Sequence, residues 1–189
     1  MPPITLPELP SDGRTALRPL GEEDVAAYVS AFHDDPDLGR LLGIETDPDE
    51  TGLAERIARM GRQRDEGRYG ELAITDAGGF AGSLTLHSLD WKNRRGELGF
   101  WIVPSARRRG LARAAVRLAL RWTFRDLDLE RVELTTTPEN DAVARLAGRL
   151  GFTREGLLRG RNLERGRRVD VVVFGLLRDE WREGLSDRA

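Results

Sequence analysis

The chain of 189 residues contains no cysteine, two histidines, two tyrosines and, in Lys92, a single lysine. The absence of cysteine excludes disulfides, thiolate metal sites and cysteine nucleophiles together, and makes the cytoplasm the expected location. With only His33 and His87 available, histidine-built zinc centres and Ser-His-Asp triads are hard to assemble, so no metal is expected. No stretch approaches the roughly 18 consecutive apolar residues of a membrane-spanning helix. The opening Met1-Pro2-Pro3-Ile4-Thr5 has neither a basic flank nor an apolar run, so a secretory signal is not expected. Excess charge of one sign is also missing. Thirty basic residues against 32 acidic ones give a net charge of −2, which argues against nucleic acid or a membrane surface as a partner.

What is present fits one globular domain, with 39% hydrophobic and 33% charged residues and apolar positions recurring along most of the length. Pro2, Pro3, Pro7 and Pro10 mark residues 1–13 as an extended arm. The domain is expected over 14–184, with a tail at 185–189. Charge is unevenly spread: Glu8 to Glu50 holds 12 acidic and 3 basic residues, whereas Arg145 to Arg168 holds 8 arginines against Glu155 and Glu164. Two solvated faces account for this, and so would a cleft that attracts a cation at one end and an anion at the other.

Hydrophobic spacing predicts a strand at Thr15–Leu20, then helices at Glu22–Phe32 and Glu50–Glu66. Strands follow at Tyr69–Thr75 and Phe80–Leu86, joined through Asp76-Ala77-Gly78-Gly79, a good hairpin signal. A third strand, Glu97–Val103, is stopped by Pro104. The remaining elements are a helix from Gly110 to Arg125, a strand at Arg131–Thr137, a helix from Asn140 to Leu150, and strands at Phe152–Leu158 and Val169–Leu177. The strand–helix–strand unit from Glu97 to Thr137 makes its two strands parallel neighbours. An α/β domain is therefore expected, with a mixed, mostly antiparallel sheet of about seven strands and helices on both faces.

The most informative stretch is Val103-Pro104-Ser105-Ala106-Arg107-Arg108-Arg109-Gly110-Leu111-Ala112-Arg113. A strand ends there, and a basic, glycine-containing turn opens a long helix. Free N–H groups and the helix dipole suit a phosphate, Gly110 and Ala112 permit close approach, and arginines add forked donors. A bare basic helix start fits the same residues.

Arg107-Arg108-Arg109-Gly110-Leu111-Ala112 resembles the Q/R-x-x-G-x-G/A acetyl-coenzyme A motif of the GNAT N-acetyltransferase superfamily. Asn140 after the next strand, Gly151-Phe152 closing the following helix and the order of elements extend the likeness over most of the chain. Leu17-Arg18-Pro19-Leu20, Asn93-Arg94-Arg95-Gly96-Glu97-Leu98-Gly99-Phe100-Trp101-Ile102 and Phe174-Gly175-Leu176-Leu177 resemble the ribosomal-protein-alanine N-acetyltransferase branch. The resemblance implies a splayed sheet and transfer of an acetyl group from acetyl-CoA, a co-substrate, to a primary amine by direct attack in a ternary complex. That amine is a protein N-terminus or a small molecule. The likeness further implies that backbone groups of Trp101, Ile102 and Val103 pair with the pantetheine arm and that amides from Arg108 to Arg113 hold the pyrophosphate. Asn140 would bond the pantetheine directly or through water; a plain N-cap is its other reading.

The sequence departs from the family at the proton donor. Tyr or Ser is usual at positions that here carry Ala147 and Val143. Glu97 is the candidate base, with a salt-bridge role as its alternative, and Glu71 and His87 are weaker choices. The missing acid leaves a second reading, a catalytically weak acyl-CoA-binding sensor or accessory protein. The acceptor's identity, the acyl chain length and the oligomeric state, a homodimer included, stay open.

Overall fold

A computed structural model describes residues 1–4, 11–42, 44, 47–164 and 166–182, so the expected tail and residues 5–10 of the arm lie outside the described residues. Seven strands form one sheet: β1 (Ala16–Pro19), β2 (Gly70–Asp76), β3 (Gly79–Asp90), β4 (Arg95–Ile102), β5 (Arg131–Thr136), β6 (Thr153–Glu164) and β7 (Arg167–Leu177). Their spatial order is β1-β2-β3-β4-β5-β7-β6, and only the β4–β5 pair is parallel. The Asp76–Gly79 hairpin forms as its turn sequence requires, with Asp76 Oδ1 accepting from the Gly78 N–H.

The helices are α1 (Val25–Asp34), α2 (Leu38–Leu41), α3 (Glu50–Asp65), α4 (Leu111–Arg125) and α5 (Asp141–Arg149). The first expected helix splits into a 3-10 turn at Glu22–Asp24 and α1, and α2 has no counterpart in the sequence reading. Apolar residues at helical spacing, Val25, Tyr28, Val29 and Phe32, are what predict this helix, and in α1 the last three are buried and Val25 is half-buried. Asp49 caps α3 by accepting from the Gly52 N–H at 2.7 Å.

Two cores lie on opposite faces of the sheet. On one, α4 inserts Leu111, Ala115, Leu118 and Trp122 among Leu72, Leu84, Leu98 and Ile102. On the other, α1 and α3 close over Ala73 and Trp101 with Tyr28, Phe32, Leu53 and Met60. Strand alternation accounts for the division along β4: Leu98 and Ile102 serve the first core, Trp101 the second. At the start of the chain, Ile4 is buried in the α4-side core and its N–H donates to Arg64 O on α3.

One irregularity positions everything that follows. Parallel pairing of β4 with β5 covers only Arg95↔Arg131, Gly96↔Val132 and Glu97↔Glu133. Beyond Glu97, β4 continues to Ile102 against β3, while β5 continues against β7. The two strands therefore diverge, with Glu97 at the vertex.

Candidate active site

The backbone of β4 decides which groups face the opening. Val103 N–H donates to Ala81 O beside β3, whereas Arg94 O accepts from Arg131 N–H on β5. Alternation along a strand then directs odd-numbered residues toward β3 and even-numbered ones toward β5. By this parity the Trp101 peptide groups and the Val103 N–H turn toward β3, and Val103 O accepts from the Ala106 N–H of the following turn. Ile102 faces the opening, together with Leu98 and Phe100, which the sequence reading missed because spacing alone carries no ladder parity. Arg107 Nε donates to Ile102 O at 3.0 Å, leaving the Ile102 N–H and the Phe100 peptide groups along the gap.

The basic turn divides its arginines among different tasks. Arg107 also forms an ion pair with Asp35, the residue that ends α1, so its guanidinium braces the turn against the opposite face. Arg109 pairs with Asp76 at 2.7 Å. Arg108 and Gly110 both adopt positive φ, +61° and +84°, and at Gly110 this conformation is free of side-chain strain. Gly110 is the N-cap of α4 and supplies no capping side chain, so the first-turn amides keep their donors for a ligand. They open into a groove of about 710 Å³ lined by Arg14, Arg109, Arg113 and Arg117 together with Asp12 and Asp76. Leu111 is buried in the core and Ala112 half-buried, so their contribution is backbone. An uncapped helix start in a mainly basic groove fits a pyrophosphate.

Asn140 caps α5, its Oδ1 accepting from Val143 N–H at 3.2 Å. Among the described residues the amide nitrogen has no partner, and the side chain borders a second open groove of about 790 Å³ lined also by Thr137, Glu164, Arg168 and Asp170. The cap and a ligand contact are therefore compatible. Ala147 is fully buried in the core, and Val143 is half-buried. Neither position can donate a proton.

Carboxylates on the α1/α3 face fall into two kinds. Glu71 is buried under α1 and α3, accepting from Ser83 Oγ at 2.7 Å, Tyr69 Oη at 2.9 Å and Arg56 at 2.8 Å. Burial, reinforced by the Glu71 charge, pushes both the Tyr28 and Tyr69 phenols far up, so they remain protonated donors. Glu133 is held by Arg131 at 2.8 Å and Arg95 at 3.7 Å, and Glu155 by Arg131 at 2.7 Å. Glu97 differs. Its contacts are the Thr135 hydroxyl and, at 4.0 Å, His87 Nδ1; among the described residues no arginine reaches it.

Five acids of the segment from Glu8 to Glu50 are committed to local structure. Asp24 is paired with Arg18 at 2.6 Å, Glu23 with Arg18 at 3.1 Å, Asp35 with Arg107, and Asp12 and Asp49 accept from backbone amides. Glu8 and Glu45 lie outside the described residues. Among the described residues no helix is long and apolar enough to cross a membrane.

Known proteins share this architecture. The family profile described as "Acetyltransferase (GNAT) domain" matches residues 14–153. The chain is 34% identical over 111 residues to "Putative ribosomal N-acetyltransferase YdaF" of Bacillus subtilis, an alignment that spans 59% of this chain and 61% of that protein. It is 28% identical over 150 residues to spermidine N(1)-acetyltransferase of Escherichia coli K12, spanning 79% and 78%. The structure of Mycobacterium smegmatis RimJ in complex with CoA-disulfide superposes with a TM-score of 0.83 at 25% identity, covering 91% of this chain and 85% of that one. The diverging sheet, the uncapped helix start after β4 and these likenesses agree: the chain belongs to the GNAT acetyltransferase family, in its RimJ/RimL-like branch, and is an N-acetyltransferase.

Proposed function

We propose that the protein transfers the acetyl group of acetyl-CoA to a primary amine by direct attack, with Glu97 receiving the proton that the amine gives up. The observation that carries this reading is the carboxylate at the vertex of the diverging strands, held by a hydroxyl and, among the described residues, reached by no arginine. Glu71, Glu133 and Glu155 each meet an arginine, which favours the charged form and blunts a base.

Acetyl-CoA supplies an activated acyl thioester. The N–H groups from Arg108 to Arg113 would hold its pyrophosphate, the Phe100 and Ile102 peptide groups would pair with the pantetheine arm, and Asn140 would bond it through its free amide nitrogen. Arg107 belongs to this set as a brace for the turn. The amine nitrogen forms a bond to the acyl carbon, the carbon–sulfur bond breaks, and one proton passes from nitrogen to Glu97. The departing thiolate needs one proton in return. A thiol with a pKa of about 8.5 is a tolerable leaving group, so water or the outgoing proton can serve where Val143 and Ala147 cannot.

The acceptor is a primary amine of a protein N-terminus or a small molecule. Names of the relatives support both kinds, one referring to the ribosome and one to spermidine. The absence of a donor at positions 143 and 147 also fits a catalytically weak acyl-CoA-binding sensor or accessory protein. Thiol release from acetyl-CoA, measured with spermidine and with an alanine-starting peptide, separates the two. The enzyme reading expects amine-dependent release that falls about 100-fold in Glu97→Gln while calorimetric acetyl-CoA affinity is kept. Tight acetyl-CoA binding without amine-dependent release across a wider amine panel would favour the sensor.

A further inference from the structure

We infer that Thr135 is a positioning residue for this transfer, fixing the Glu97 carboxylate across the mouth of the β4–β5 opening. The inference rests on Glu97 acting as the base.

Backbone pairing between β4 and β5 stops at Glu97↔Glu133. Two residues further on, Thr135 pairs only with Val173 of β7, yet its hydroxyl still reaches back to donate to Glu97 Oε1. A side-chain bond thus takes over where the ladder ends. Without it, Glu97 would sit on the last residue that β4 pairs with β5, with no hydrogen bond among the described residues to choose between its rotamers. A threonine hydroxyl has one proton to give, and giving it here leaves Oε2 for the amine.

The chemistry of the donor matters as much as its place. The charged residues paired with Glu97 across the sheet are His87 on β3 and Glu133 on β5, the latter with Arg131 and Arg95 around it. Both arginines are engaged by Glu133, so they do not compete for Glu97. A neutral hydroxyl orients the carboxylate and removes less of its basicity than a guanidinium would. Beyond Glu97 the place a side chain at Gly99 would take is filled by the Thr85 hydroxyl and the His87 ring, a Cβ there standing 2.7 Å from Thr85 Oγ1.

The test compares Thr135→Val, which keeps the β-branched shape and loses the donor, with Thr135→Ser, which keeps the donor. Rates are read with acetyl-CoA and the faster of spermidine and the alanine-starting peptide. Thr135→Val should lower kcat about tenfold, with KM for the amine and calorimetric acetyl-CoA affinity within about twofold of wild type. Thr135→Ser should restore most of the rate, and Thr135→Val should add nothing in a Glu97→Gln background. A crystal structure of the Val variant should show the Glu97 side chain displaced or in more than one rotamer. If Glu97→Gln is inactive while Thr135→Val matches wild type, the positioning role is overturned and the base assignment stands. If Glu97→Gln matches wild type, the base assignment fails and takes this inference with it. Equal loss in the Val and Ser variants would make Thr135 a packing residue and also overturn the proposal.

Discussion

Glu71 and Glu97 occupy the same face of the same sheet and have opposite lives. Glu71 lies where α1 and α3 cover the strands, 1% exposed, with two hydroxyls and a guanidinium on its oxygens. Glu97 lies where the cover ends and the strands part, 18% exposed, with one hydroxyl and a histidine that is itself 33% exposed. Burying a carboxylate demands full compensation, and full compensation removes its chemistry. The comparison teaches that the number and charge of the partners, more than the residue type, distinguish a structural acid from a reactive one.

The largest effect that would sharpen the contrast is on stability. Glu71→Ala should cost about 3 kcal/mol, because it strands Arg56 and the Ser83 and Tyr69 hydroxyls in a covered site. Urea unfolding reads this directly. Glu97→Gln should leave the urea midpoint near wild type, so equal destabilisation by both variants would erase the distinction. A smaller effect is expected at the joint between the two ends, where Asp35 beneath the cover holds Arg107 of the cofactor turn. Asp35→Asn should weaken acetyl-CoA binding about threefold by calorimetry, although Asp35 is not in the turn that would bind it. Unchanged affinity would mean that the turn holds its shape unaided.

The smallest effect concerns Glu155, a carboxylate of the open end that is nevertheless paired. The Arg131 hydrogen bond holds it below its ordinary value of 4.5, against a weaker opposing effect of burial. A depressed carboxylate stabilises the fold above its unfolded-state pKa, and that contribution fades as pH falls through the lower folded value. Melting temperatures of Glu155→Gln should therefore sit slightly below wild type at neutral pH and converge with it in acid, from about pH 4.5 downward. A constant offset down to strong acid would show that the pair contributes nothing.

Much of this was legible in the sequence. Turn chemistry at Asp76–Gly79, the proline after β4 and the helical stripe of Leu111, Ala115, Leu118 and Trp122 depend on neighbours close in the chain, and the structure agrees with each. The parallel β4–β5 pair followed from the handedness of a single crossover. What stayed hidden depends on contacts distant in the chain. Whether Phe100 or Trp101 turns its backbone to the opening is fixed by the Val103–Ala81 bond, across 22 positions of sequence that no local pattern encodes. The Arg107–Asp35 ion pair was hidden too, because a long side chain finds its partner in space and this one lies 72 residues away. Thr135 gave no signal at all, since threonine is unremarkable in a strand.

The parting of β4 from β5 also bears on solubility. Any strand with free peptide groups invites another chain to add itself, which is why proteins usually charge, shorten or cover their sheet margins. Here the unpaired side of β4 runs only from Leu98 to Ile102, lies in the interior of the sheet, and faces a neighbour that diverges from it. An incoming strand would have to enter between two existing ones and could pair over no more than that short run. The protein can thus keep a stretch of hydrogen-bonding backbone exposed for a slender ligand without offering it as a seed for aggregation.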